Sequence, residues 1–508
     1  HLNDEHATTF ATPKADGEGE LKGELQSLGE TIDAAGGWWD AGDYLKFVQT
    51  TSYTVDLMLA GVRDFPAQMG ARSARSNFTE EARFGVEWLL RMWNDPTRTL
   101  YYQVGIGEGN TSTAGDHDIW RLPQEDDTYG GSDPLYRFIR HRPVFRAAPP
   151  GSPVSPNLAG RDAAAFGECF QVFARTRPEL ASRCLLAGEH IFALADTEPH
   201  GRLLSAIPFD FYPESEWRDD LELGATELAA ALVSGAPPPE GLPHTEADYY
   251  LRQATRWAGE YIAHNPEGGE GLNLYDVSGL ADFELVRTLR AAGAIAGLAV
   301  SEAQLLAALG QKLQGALEQS RRDPFGFGFP WAAADTVSHG DGLSVMASEY
   351  DYLTGASSPT GDGAYSADAA RWLGNVLGAN AWGSSFIIGD GGTFPDCPQH
   401  QVANIVGSLD GAPPVLAGAA VEGPSDERSS GALPGMRACP AGGGHAFARF
   451  DSASARYEDN VQAYANTEPA IDLTASSMLA FSWQSATAAL EDGGVLVTAP
   501  PGALPSLP

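Results

Sequence analysis

Apolar residues recur at helical spacing in ten separate stretches of this 508-residue chain, and strand-like alternation is scarce. The stretches are Thr51–Phe65, Glu80–Trp93, Arg161–Arg175, Leu221–Val233, Glu246–Ala263, Ala281–Ala299, Glu302–Ser320, Gly342–Thr354, Ser366–Leu377 and Pro469–Ala488. About a dozen helices over this length suit a barrel of paired helices or a solenoid. No unit of about 34 or about 40 residues recurs, which disfavours the solenoid. The expected class is therefore all-α. Loops longer than about 15 residues are uncommon unless they carry function. Here Gly105–Gly160, Asp323–His339 and Gly389–Tyr457 are long and rich in Trp, His, Asp and Gly, so they are expected to wall a cleft. No internal linker is evident. Residues 1–497 read as one domain, and 498–508 as a C-terminal tail.

Charge narrows the partners. The formal net charge is -35, and lysine occurs only at Lys14, Lys22, Lys46 and Lys312. So acidic a surface argues against nucleic acid and anionic membrane, and fits a neutral ligand or a secreted protein that must stay soluble. No run of about 18 apolar residues occurs, so no membrane span is expected. No signal-peptide pattern is present; a start at His1 is what removal of a leader would leave, and an extracellular protein is expected. Cys169, Cys184, Cys397 and Cys439 fall in two sequence-near pairs without a CxxC pattern. They read either as two disulfides of an exported protein or as buried thiols.

Two segments carry chemistry. Gly36-Gly37-Trp38-Trp39-Asp40-Ala41-Gly42-Asp43 places two carboxylates three residues apart among glycines and tryptophans. Aromatic rings stack on pyranose faces, and carboxylates hold and deprotonate water. An Asp in a Gly-rich turn also serves simply to bond its own backbone. Far along the chain, Tyr457-Glu458-Asp459-Asn460 precedes Tyr464-Ala465-Asn466-Thr467-Glu468-Pro469-Ala470. Pro469 suits the first turn of a helix. Glu468 then sits at a helix start, where the dipole favours the anion and an apolar surround raises the pKa.

The stretch Asp33–Phe47 resembles the N-terminal motif of glycoside hydrolase family 9, and Tyr457–Ala475 is similar to its C-terminal signature. The resemblance runs over nearly the whole chain. It implies an (α/α)6 barrel with long cleft-forming loops and an inverting hydrolase. Asp43 is then the base that activates water, Asp40 helps orient that water, and Glu468 is the general acid. Asp459 would support the acid and the cleft floor, and Asp459 and Tyr464 are expected substrate contacts. Asp116-His117-Asp118-Ile119-Trp120 resembles a substrate-contacting loop, so His117 and Trp120 are expected to bind sugar, as are Trp39 and Trp331. The segment Ser215-Glu216-Trp217-Arg218-Asp219-Asp220, with Asp276, resembles a structural calcium site whose ligands would be Ser215, Glu216, Asp219, Asp220 and Asp276. Ca2+ would be structural, and the chemistry would need no cofactor. His1–Ala7 resembles a segment that follows an immunoglobulin-like module in some bacterial members. This sequence contains no such module, which leaves two readings: an N-terminal immunoglobulin-like module was removed, or none was encoded.

The chain also departs from the family pattern. Where members carry His-His-Arg it has Gln399-His400-Gln401, leaving His400 and Gln401 as expected substrate contacts without the arginine's bidentate cationic grip. Trp39 stands where Tyr is frequent, and Tyr44 where His is frequent. The expected activity is endo-acting hydrolysis of β-1,4-glucan. Alternatives are an exo-acting β-glucosidase or β-glucosaminidase of the same family, a polysaccharide lyase, or a catalytically dead binder. Lyases need a positive subsite for uronates, which the acidity disfavours.

Overall fold

The structure is a computed structural model. It describes residues 1–15, 19–70, 77–266, 269–355, 364–405, 415–428, 431–491 and 495–498, with backbone alone at 487–491 and 495–498. The expected tail beyond Thr498 lies outside the described residues, as do 406–414 and 429–430 of the third long loop.

Eleven long helices dominate: α1 Val48–Asp64, α2 Phe78–Met92, α3 Pro156–Phe173, α4 Pro178–Phe192, α5 Arg218–Val233, α6 Ala247–His264, α7 Ser278–Ala292, α8 Glu302–Ser320, α9 Thr336–Thr354, α10 Ser366–Val376 and α11 Ile471–Thr487. The odd-numbered six form a closed inner ring, since α1 packs on α3, α3 on α5, and so on round to α11, which returns to α1. The even-numbered five lie outside, each against the inner helix before it. This is the (α/α)6 barrel.

Sequence pattern separates the two layers. The outer helix α8 has a capping box between Ser301 and Gln304, and buries Leu305, Leu309, Leu313 and Ala316 as a single stripe. Inner helices are buried on nearly every side, so their periodicity is blurred. In α3 and α5 small residues bring the backbones together. A Cβ on Gly160 would lie 2.3 Å from the Asp220 carbonyl carbon, so this crossing requires glycine. The helix α4 was not expected from the sequence. Its buried stripe includes Ala181, Cys184, Ala187 and Gly188, too small to stand out from the background. The Cys169–Cys184 disulfide ties α4 to α3, and a second disulfide joins Cys397 to Cys439.

A mixed sheet lies beside the helices: β1 Ala7–Ala11, β2 Ser27–Ile32, β3 Lys46–Phe47, β4 Trp93–Asn94, β5 Thr99–Val104 and β6 Pro143–Arg146. Its order is β2-β1-β6-β5-β3, with β4 also on β5. β1 and β6 run parallel, with Phe10 opposite Phe145. Antiparallel pairing of Lys46 with Val104 and Phe47 with Gln103 fixes the chain just after Asp43. The strands are short, and β5 is buried on both faces, so neither offers the alternation that marks a strand.

The barrel interior is charged at one level. Arg63 of α1 lies 2.6 Å from Glu284, 3.0 Å from Asp64 and 3.3 Å from Glu227, and Arg287 lies 2.7 Å from Asp64. Removing one partner of a buried network strands the others. Arg63→Met is therefore expected to lower unfolding free energy by about 3 kcal/mol, read from denaturant midpoints, with catalytic constants at low temperature little altered. An unchanged midpoint would mean the cluster contributes no net stability.

Candidate active site

The turn from Gly36 to Asp43 is held from below. The buried Lys46 ammonium donates to the carbonyls of Ala34 at 2.6 Å and Gly36 at 3.0 Å, and pairs with Asp4 at 2.9 Å. Arg142 pairs with the same Asp4 at 2.7 Å and donates to the Tyr44 carbonyl. Trp88 of α2 donates to the Ala34 carbonyl at 3.2 Å. Trp38 turns toward α2 and donates to Glu81 at 2.8 Å. The motif's aromatics are thus divided: Trp38 anchors, while Trp39 packs on Tyr44 at 4.7 Å.

Asp40 is buried. Thr50 and Tyr212 donate their hydroxyls to its two carboxyl oxygens. Its carbonyl accepts from the Ile471 N–H at 3.0 Å, which binds the turn to the start of α11. Burial outweighs both hydroxyl bonds and raises its pKa well above the usual carboxylate range. Asp43 accepts from the Leu45 N–H at 2.7 Å and faces the His117 ring nitrogen in an ion pair. Burial pulls the His117 pKa down, but the Asp43 carboxylate beside it prevails and holds it at about 9. His117 is therefore cationic at neutral pH. Phe211 stacks on its other side, with ring centroids 4.5 Å apart.

Glu468 comes from the opposite end of the chain to the same turn. The Gly42 N–H donates to its carboxylate at 2.8 Å. A Cβ on residue 42 would lie 2.8 Å from that oxygen and 2.6 Å from the Gln399 carbonyl, so only glycine admits the contact. Burial raises the Glu468 pKa to about 7; His117 opposes this, and Asp43 adds to it. Residue 43 carries one carboxylate, and residue 42 directly bonds the other. The two halves of the site therefore meet at one turn.

The segment Gln399–Gln401 clamps them. Gln399 N–H donates to the Thr467 carbonyl at 3.1 Å and Gln401 N–H to the Gly42 carbonyl at 2.6 Å. The Gln401 side chain is buried and donates to the Asp116 carbonyl at 2.9 Å, so it fastens the His117 loop rather than offering itself to a ligand. His400 is half-buried, and its ring accepts from the Val402 N–H at 3.2 Å. Burial lowers its pKa to about 4, leaving it neutral. Asp459 accepts from the N–H groups of Asp396 at 3.0 Å and Cys397 at 2.9 Å, which steadies the disulfide loop that carries the clamp.

Other expected residues stand elsewhere. Trp120 is only 3% exposed and packs with Leu122, Ile405 and Val461. It joins two loops and leaves little of its ring exposed. Tyr44 is likewise buried and donates to the Arg121 carbonyl at 2.5 Å. Trp331 is half-buried and stacks on Phe327 at 4.0 Å. Tyr464 is exposed and donates to Glu427 at 2.7 Å.

The expected calcium ligands are partly engaged by protein donors. Asp220 is taken by Arg161, with the guanidinium Nε 2.5 Å away. Glu216 accepts from Arg218 at 2.8 Å and Asn265 at 2.8 Å. Asp276 accepts from Tyr261 and from the Glu270 N–H, each at 2.8 Å. Asp219 accepts from the Val277 N–H at 2.7 Å, and the Ser215 N–H is spent on Glu214 at 3.1 Å. Protein donors, two of them guanidinium groups, engage part of this set, while Asp219 Oδ1 and Asp220 Oδ2 are buried without a hydrogen-bond partner. Among the described residues no group of three His, Cys, Asp or Glu side chains is placed to hold a metal.

Phe211 and Tyr212, which touch His117 and Asp40, were not singled out from the sequence. The run Phe209-Asp210-Phe211-Tyr212 was the available signal, with three aromatics around a carboxylate in a short loop.

The glycosyl hydrolase family 9 model matches residues 1–481. Endoglucanase 7 of Oryza sativa subsp. japonica is 25% identical over 412 residues, covering 76% of this chain and 70% of that protein. Endoglucanase 2 of the same organism is 25% identical, covering 78% of this chain but 61% of its own length, and Endoglucanase 6 of Arabidopsis thaliana is 26% identical, covering 74% and 57%. The chain thus spans less than two thirds of those two relatives. Among solved structures, the cellulase Cel9M of C. cellulolyticum superposes with a TM-score of 0.63 at 20% identity, covering 89% of this chain and 88% of that one. The catalytic domain of Clostridium thermocellum CelT gives 0.64 at 20% identity, covering 90% and 83%.

Proposed function

The chain belongs to glycosyl hydrolase family 9, and we propose that it cleaves β-1,4-linked glucan chains from within, with inversion at the anomeric carbon. The observation that carries this is the hydrogen bond from Gly42 to Glu468, which brings an acid from one end of the chain against a base from the other. Asp43 takes a proton from water as the water oxygen attacks the anomeric carbon. Glu468 gives its proton to the departing glycosidic oxygen, and the bond between that oxygen and the anomeric carbon breaks. Asp43 ends protonated and Glu468 ionised; exchange with solvent restores both. His117 supplies Asp43 with a counter-charge, and Asp40, locked by Thr50 and Tyr212, orients the water. The endoglucanase names of the relatives support the substrate. Two disulfides support an exported protein, because such bonds persist in oxidising compartments.

Following cellohexaose hydrolysis by proton NMR tests this reading. The α anomer is expected to appear first, in products of mixed length. Early β anomer would overturn inversion, and release of one sugar at a time would overturn internal cleavage.

A further inference from the structure

The residues Gln399–Gln401 grip the chain immediately before each charged group of the site. Gln399 N–H donates to the Thr467 carbonyl, one residue before Glu468, and Gln401 N–H to the Gly42 carbonyl, one residue before Asp43. The Gln401 amide donates to the Asp116 carbonyl, one residue before His117. Acid, base and imidazole thus share one three-residue clamp. Residues 397–404 lie in no helix or strand, so no regular ladder holds the clamp itself. Its support comes from the segment 433–439 behind it. Arg437 N–H donates to the Asn404 carbonyl at 2.7 Å, Ile405 pairs with Met436, and Asn404 N–H returns to the His400 carbonyl at 2.9 Å. The backing segment also reaches the other loops. Trp120 N–H donates to the Pro434 carbonyl at 2.9 Å, and Val461 N–H to the Cys439 carbonyl at 3.0 Å.

The apolar support is small. Trp120, Leu122, Ile405 and Val461 form a buried cluster with Leu433, Met436 and Cys439 against it, apart from the barrel core. So few buried side chains hold a loop weakly, and small units of this kind are commonly stapled covalently. Here the staple is Cys397–Cys439, which joins clamp to backing segment two residues before Gln399. Burial separates the two disulfides of the molecule. Cys169 and Cys184 are 0% exposed, whereas Cys397 is 4% exposed and Cys439 is half-buried. Exchange requires a thiolate to reach a sulfur, so a dithiol reaches the Cys397–Cys439 bond first. Its attack on the Cys439 sulfur expels the Cys397 thiolate and leaves a mixed disulfide. The second thiol of the reagent closes on that bond and releases Cys439. Two electrons and two protons pass to the cysteine pair, and the dithiol leaves as its own disulfide.

We propose that Cys397–Cys439 is a redox switch on the active site. Closed, it holds the clamp that positions Glu468, Asp43 and His117; a dithiol reductant that opens it lowers turnover while the barrel stays folded. This rests on the glycoside hydrolase reading above. The test treats the protein with dithiothreitol and identifies the freed cysteines by alkylation and peptide mass. It then follows cellohexaose hydrolysis and the His117 imidazole by NMR. Cys397 and Cys439 are expected to be labelled well before Cys169 and Cys184. With the helical circular dichroism unchanged, kcat should fall about 10- to 100-fold, the scale of a catalytic group displaced by about 1 Å, and reoxidation should restore it. The His117 titration should also move below about 9, because burial lowers its pKa while Asp43, Glu468 and Asp116, which raise it, are no longer held in place. Cys397→Ser combined with Cys439→Ser should reproduce both effects and no longer respond to the reagent. Full turnover with an unmoved His117 titration in the reduced, folded protein would overturn the switch, as would opening of Cys169–Cys184 first. If the oxidised protein cleaves no glucan, the hydrolase reading falls, and the His117 titration alone still decides whether this disulfide sets the site.

Discussion

Glu468→Gln is expected to slow hydrolysis of a β-1,4-glucan by about three orders of magnitude, the scale of a lost general acid. The amide is nearly isosteric and can still accept the Gly42 N–H, so the turn should keep its shape. What disappears is the proton. An alkoxide is a poor leaving group, and bond breaking stalls without protonation. A dinitrophenyl glycoside needs little such help, so its hydrolysis should fall far less. The pH profile gives a second reading of the same residue. Burial holds the Glu468 pKa near 7, so the carboxyl is protonated below that value and loses its proton above it. Activity in the native protein should therefore decline as pH rises through about 7. The variant should lack that alkaline limb. Equal losses on the natural and dinitrophenyl substrates would remove Glu468 from the acid role.

Asp43→Ala is expected to cost about 10²- to 10⁴-fold in kcat, because attack by water then proceeds without a base. The loss should be uniform across leaving groups, unlike that of Glu468→Gln. A small anionic nucleophile such as azide needs no deprotonation, fits the space vacated by the carboxylate, and should restore turnover with an α-glycosyl azide as product. The variant also reports on His117. Its pKa of about 9 exists because Asp43 opposes the effect of burial. Without the carboxylate, burial dominates, and the imidazole should titrate well below 9 when followed by NMR. A β-configured azide product would mean that Asp43 is not on the face opposite the leaving group. An unmoved His117 titration would mean that the ion pair is not what charges the ring.

Much of this was legible in the chain. The capped stripe of α8 and the amphipathic α2 announce themselves by period. The turn at Gly42–Asp43 and the Glu468-Pro469 helix start carry the two carboxylates that the fold unites. What hid from the sequence had specific causes. The stripe of α4 is made partly of alanine, glycine and cysteine, and the short strands lack alternation. Phe211 and Tyr212 act on Asp40 and His117 from a loop whose position no local pattern states. How deeply the ring of Trp120 is buried was not legible, because aromatic identity says nothing about which way a ring faces. In the calcium-like segment the sequence could not state which carboxylate oxygens Arg161, Arg218 and backbone N–H groups engage and which, on Asp219 and Asp220, stay unpartnered.

The sequence by itself determined the helical barrel and the family, and it carried the two carboxylates proposed as acid and base, because each is written in short-range period or in motifs that stay contiguous. Only the tertiary structure decided the electrostatics. The roughly neutral pKa of Glu468 and the cationic state of His117 depend on burial and on partners dozens to hundreds of residues away. Charge interactions act through space, so the linear order of residues does not contain them.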